Sequence, residues 1–190
     1  MPKELFLKID EEKRNRIYQA AFQEFSNNKF NEASINQIVK NADIPRGSFY
    51  QYFEDKQDIY FYILDTILET ETYSYIEDLF QRENNIFDIF KKLLKFNLEL
   101  FYDSKYSSFF ENLYLSLNYD ISRHMNKSVN KIKEEMLTLR SENKKQKKEL
   151  INILQLINRN LISKKIIENY SYEEIMEIYD IRINILKNKN

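Results

Sequence analysis

Between residues 41 and 56 the chain reads NADIPRGSFYQYFEDK, a stretch that holds its only glycine and one of its two prolines. Ser48, Tyr50, Gln51 and Tyr52 offer hydroxyl and amide groups there, and Arg46 offers a guanidinium that can grip a guanine edge. Groups of this kind hydrogen-bond to phosphates or to base edges according to how they are docked. Catalysis has little to stand on. His124 is the sole histidine of 190 residues, cysteine is absent, and one glycine cannot build a glycine-rich phosphate loop. Glu173, Glu174, Glu177 and Asp180 share one helical stretch, yet without a Glu-x-x-His pair they make no di-iron signature. No catalytic residue, metal site or cofactor is expected, so the chemistry is that of binding.

The elements around these groups must hold them on one surface. Phe49 and Phe53 lie four apart and anchor a short helix inward, which turns Arg46, Ser48, Tyr50, Gln51 and Tyr52 toward solvent. Pro45 disfavours helical geometry at Ile44 and donates no backbone hydrogen bond, so the preceding helix stops and a new one starts around 45 to 46. That preceding helix opens at Ser34, which forms a capping-box pattern with Gln37 and sends Ile35, Ile38, Val39 and Ala42 inward. A longer helix comes before it, capped by Asp10 and buried through Ile17, Ala20, Ala21, Phe22 and Phe25. Asp55 is the expected cap of the next helix, which begins at Lys56. Gly47 leaves room for a phosphate or base edge to approach the start of the second short helix. Two short helices joined by a tight turn, with a helix packed across them, are the arrangement of a DNA-binding helix-turn-helix.

The segment SINQIVKNADIPRGSFYQYFEDKQDIY resembles the TetR family of bacterial transcriptional regulators, with its small hydroxyl residue, short helix, turn, G-S-x-Y-x-Y-F and acidic-x-Lys pattern. The resemblance is specific over residues 11 to 63. It implies that Ser34 and Asn36 lie near phosphates, that Arg46, Gly47, Ser48, Gln51 and Tyr52 face the major groove, and that Tyr50 and Lys56 serve chiefly the DNA backbone. Asp43 stands where that family often has glycine, and aspartate tolerates the left-handed geometry. Charge balance argues the other way: residues 1 to 56 hold nine basic and nine acidic side chains. The rival reading is a helical protein-interaction module without operator-specific DNA binding.

Composition extends the helical reading to the whole chain. With one glycine and two prolines there are too few turn residues for a many-stranded sheet, and 43% hydrophobic content can bury a core. Helical periodicity runs from Lys56 toward Phe80, then through Phe87–Phe101, Tyr106–Ile121, Ile132–Leu139, Leu150–Leu161 and Tyr172–Leu186. The expectation is an all-α protein: a DNA-binding domain at 1 to 54 and a larger helical ligand-binding and dimerisation domain at 55 to 190. The longest apolar run, IYFYIL at 59 to 64, is far short of a membrane span, and the lack of cysteine fits a cytoplasmic location.

In the resembled family the C-terminal domain binds a small effector in a cavity between helices. Here Tyr102, Phe109, Phe110 and Tyr114, with His124, are the candidate lining. The dimer candidates lie on the last two helices: Leu150, Ile153, Leu154, Ile157 and Leu161, then Tyr172, Ile175, Met176, Tyr179, Ile183 and Leu186. Two such helices from each subunit make a four-helix interface in the family, so the expected whole is a homodimeric repressor released from a palindromic DNA operator by a small molecule.

Overall fold

The computed structural model describes residues 1–102, 105–125 and 144–188, all helix and connecting turn. The expected helix through Ile132, Met136 and Leu139 lies outside the described residues. Two compact units form, one from residues 1–74 with 108–116 and one from 75–107 with 117–190.

The first unit opens with a helix that the periodicity did not reveal, α1 (Glu4–Lys8). Its single buried residue, Phe6, leaves too short a pattern to read. Next come α2 (Glu11–Asn27), α3 (Ile35–Asn41), α4 (Arg46–Tyr52) and α5 (Lys56–Glu71). Asp10 and Asp55 cap α2 and α5 as expected, accepting from the amides of Lys13 and Asp58. Ile17, Ala21, Ile38, Ala42, Phe49, Phe53, Ile59 and Ile63 are all fully buried, which is the inward face that their spacing predicts.

Helix α5 ends before the expected stretch to Phe80, and α6 (Tyr73–Arg82) follows across a break at Thr72. The hydroxyls of Thr66 and Thr70 donate back to the carbonyls of Tyr62 and Thr66, at 2.7 and 2.8 Å, and such back-bonding weakens a helix. Glu69 and Glu71 also sit at the negative end of the α5 dipole, with no basic residue in that turn.

Helix α8 (Ser107–Leu115) belongs almost wholly to the first unit. Asn112 donates to the carbonyls of Phe25 and Ser26 at the end of α2, at 3.3 and 2.8 Å, and Phe109 packs its ring near those of Phe22 and Tyr60. The unit that carries α2–α4 therefore extends past residue 54.

The second unit contains α7 (Ile86–Tyr102), a turn of helix at residues 119–125 (α9), α10 (Lys144–Glu168) and α11 (Tyr172–Lys187). Ser171 caps α11 in a reciprocal box with Glu174. Helix α10 packs on both α7 and α11. The Tyr179 hydroxyl donates to the Phe87 carbonyl at 2.9 Å, and Lys91 pairs with Asp180. No described helix is long and apolar enough to cross a membrane.

Candidate nucleic-acid interface

The turn between α3 and α4 is closed by the backbone itself. Asp43 takes φ 52°, the amide of Asp43 donates to the Lys40 carbonyl, and that of Ile44 donates to the Val39 carbonyl at 3.1 Å. This pair of bonds is a Schellman ending, with Ile44 and Val39 both buried beside it. Pro45 then stands at the N-cap of α4, and its carbonyl accepts from the Ser48 amide. The turn thus fixes where α4 begins and which of its faces points outward.

On that outward face Arg46, Gly47, Tyr50 and Gln51 are exposed, and Ser48 is half-buried. Arg46 does not hang free: its Nη1 donates to Asn36 Oδ1 at 2.6 Å, tying the first residue of α4 to the first turn of α3. A side chain added at Gly47 would meet nothing within 4 Å, and Gly47 has no left-handed φ. Glycine in a helix costs stability relative to alanine. Neither packing nor backbone conformation among the described residues asks for it.

Three expectations need correction. Tyr52 does not turn to solvent; it is 4% exposed, its ring 5.9 Å from that of Phe6, because α1 covers this end of α4. Lys56 does not present a free ammonium. Its Nζ donates to the carbonyls of Ala33 and Asn31, at 2.8 and 3.3 Å, and lies 4.9 Å over the Phe30 ring. Desolvation lowers its pKa below the usual lysine value, against a smaller opposing pull from Glu24. Ser34 is the N-cap of α3 but makes no side-chain cap bond. The buried Glu24 carboxylate takes the Ser34 amide at 2.8 Å, and Gln37 turns to Asn41 instead. Glu24 and Phe6 were missed from the sequence, since a buried glutamate and a lone apolar residue carry no periodic signal.

The expected effector lining is not gathered in one unit. Phe109, Phe110 and Tyr114 are core residues of the first unit, at 5% exposure or less, because α8 packs among α2 and α5 there. Tyr102 and His124 lie in the second; Tyr102 is exposed, with Lys165 Nζ 4.1 Å above its ring, and His124 is half-buried. The expected dimer residues divide as well. Leu154, Leu161, Ile175, Tyr179 and Ile183 are buried in their own unit, because α10 is clasped between α7 and α11. Leu150, Ile157, Met176 and Leu186 are half-buried, and Ile153 and Tyr172 are exposed.

Residues 85–188, more than half of the chain, match the tetracyclin repressor-like C-terminal domain, and residues 17–63 match the N-terminal domain of bacterial regulatory proteins of the tetR family. The chain belongs to the TetR family. It is a transcriptional regulator with a helix-turn-helix DNA-binding domain, not an enzyme.

Over 63 residues, a third of this chain, it is 41% identical to the HTH-type transcriptional regulator HbdR of Aromatoleum sp. (strain CIB), spanning 28% of that protein. Over 96 residues, 50% of each chain, it is 29% identical to the HTH-type transcriptional regulator SAB2452 of Staphylococcus aureus (strain bovine RF122 / ET3-1). It thus spans half or less of the curated relatives it matches. The fold is that of Bacillus subtilis FadR in complex with stearoyl-CoA (TM-score 0.60, 14% identity, 87% of this chain and 96% of that one). A TetR-family regulator from Syntrophomonas wolfei is similar too (TM-score 0.61, 18% identity, 89% and 91%).

Proposed function

We propose that this TetR-family regulator acts as a homodimer that represses transcription from a palindromic operator and is released by a small molecule. The observation that carries the DNA reading is Gly47. The chain keeps its one glycine on an exposed helix where nothing among the described residues requires it. A close external partner does require it, and the arginine, hydroxyls and amide around it match the edges of duplex DNA. Asn36, Arg46, Ser48, Tyr50 and Gln51 are the proposed contacts, with Ser34 beside them at the start of α3.

Dimerisation draws support from aliphatic residues left exposed on the second unit. Ile153 and Leu156 on α10, with Ile181 and Ile185 on α11, are 41 to 63% exposed. Arg182 and Asn160 join the two helices with a 2.9 Å hydrogen bond. A self-complementary face of this kind suits a two-fold dimer, which would set two recognition helices about 34–36 Å apart in successive major grooves. Effector release draws support from Asn158. It is 6% exposed on α10; its amide nitrogen donates to the Phe90 carbonyl at 2.9 Å, which fixes the amide orientation and leaves Oδ1 with no donor among the described residues. A mostly apolar ligand carrying one hydroxyl or N–H group would satisfy it, and the related FadR is seen with stearoyl-CoA.

Selection of bound fragments from random duplex DNA tests this reading. Enrichment of an inverted repeat is the expected result. Recovery of unrelated sequences, bound only in proportion to low salt, would overturn it in favour of an interaction module.

A further inference from the structure

Helix α4 has only seven residues, too few to hold together without outside support at both ends. Its last four carbonyls, those of Phe49 to Tyr52, have no partner within the helix itself. The Phe53 amide takes the Phe49 carbonyl at 2.8 Å. Lys3 takes two of the others: its backbone amide donates to Tyr52 at 2.8 Å, and its Nζ donates to Tyr50 at 2.9 Å. That ammonium also sits at the negative end of the α4 dipole.

Lys3 is held in place by the residues that follow it. The Phe6 amide donates to the Lys3 carbonyl, closing the first turn of α1. The Phe6 ring is fully buried, its centroid 4.7 Å from that of Phe53 and 5.2 Å from that of Tyr62 in an edge-on contact. Arg14 Nη1 donates to the Leu7 carbonyl, so α2 grips the far end of the segment. Leu5, between these contacts, is exposed.

We propose that residues 3 to 6 are a clasp, anchored by Phe6, through which Lys3 terminates the recognition helix. Base discrimination by α4 then depends on a segment that lies outside the matched family domain at 17–63. Lys3 is a positioning residue here, acting on DNA through Tyr50 and Gln51. The inference rests on the reading of α4 as the DNA-reading helix for its functional consequence, but not for the clasp itself.

Two measurements on the full chain separate these. Amide hydrogen exchange on Lys3→Met should rise about fivefold or more in residues 48–53, the effect of losing one hydrogen bond to a helix end, with α2 and α5 unchanged. Lys3→Arg should restore protection, Phe6→Ala should reproduce the loss more strongly, and Leu5→Ala should do nothing. Affinity of Lys3→Met for a duplex selected by the unmodified protein should fall several-fold, while affinity for random duplex and its salt slope stay unchanged.

Unaltered exchange in α4, or an increase spread evenly over α2 and α5, would overturn the clasp. So would equal weakening on selected and random duplex with a salt slope reduced by about one, which is the signature of Lys3 on a phosphate. If the unmodified protein selects no duplex at all, the DNA reading fails, and the exchange data alone decide the clasp.

Discussion

The Lys56 ammonium lies 2.8 Å from the carbonyl oxygen of Ala33, which joins the first turn of α5 to the residue before the α3 cap. With the Glu24 carboxylate on the Ser34 amide, it fixes where α3 starts from two sides. A charged donor spent on carbonyls is a structural group.

Lys56→Ala is therefore expected to destabilise the protein by about 1.5–3 kcal/mol, the range for a lost hydrogen bond to a charged group. Thermal unfolding reads this directly. The salt slope of DNA binding should equal that of the unmodified protein; a slope lower by about one would show that Lys56 reaches a phosphate after all.

Gly47→Ala should move stability and binding in opposite directions. Space around Gly47 admits the methyl group, so unfolding should shift upward by about 0.5–1 kcal/mol. Operator affinity should drop. A variant that is more stable and binds as well as before would remove the argument from the lone glycine.

Arg46 and Asn36 should behave as one unit. Either alanine substitution is expected to relax preference at the same base pair, and the double variant should cost less than the sum, with a coupling of about 0.5–3 kcal/mol. Additive losses at different base pairs would mean that the 2.6 Å bond does not direct the guanidinium.

The exposed aliphatic face should govern assembly and the buried one folding. Leu156→Glu with Ile185→Glu is expected to yield a folded monomer in sedimentation equilibrium, with weak operator binding. Tyr179→Glu should instead unfold the second unit, since that ring is 1% exposed and donates to Phe87. A dimer that survives both charges places the interface elsewhere.

Tyr60 sets an alkaline limit. Burial raises its phenol pKa above the usual 10, so the folded state keeps the proton that the unfolded chain releases. Stability from this group is fully present below about pH 10 and is lost as pH rises toward the folded pKa, at up to about 1.4 kcal/mol per pH unit. Tyr60→Phe should flatten the alkaline limb of a denaturation series by that slope; identical limbs would show that the phenol ionises equally in both states.

Sequence by itself determined the helical class, the caps at Asp10 and Asp55, the turn at Asp43–Pro45 and the inward pair Phe49 and Phe53. These are local facts: caps, breakers and a 3.6-residue period act within one or two turns. What only the tertiary structure decided is the direction of side chains whose partners are distant in the chain. Tyr52 goes inward because Phe6, 46 residues earlier, covers it, and Lys56, half-buried, folds back onto the carbonyls of Asn31 and Ala33. The aromatic stretch at 96–114 reads mostly as core, with Tyr102, Phe109 and Tyr114 left on flanking faces that could line a cavity, and the packing of Phe109 against Phe22 and Tyr60 put that ring in the core too. Periodicity names the buried face of a helix but not what lies opposite it, and that choice is made by contacts across the fold.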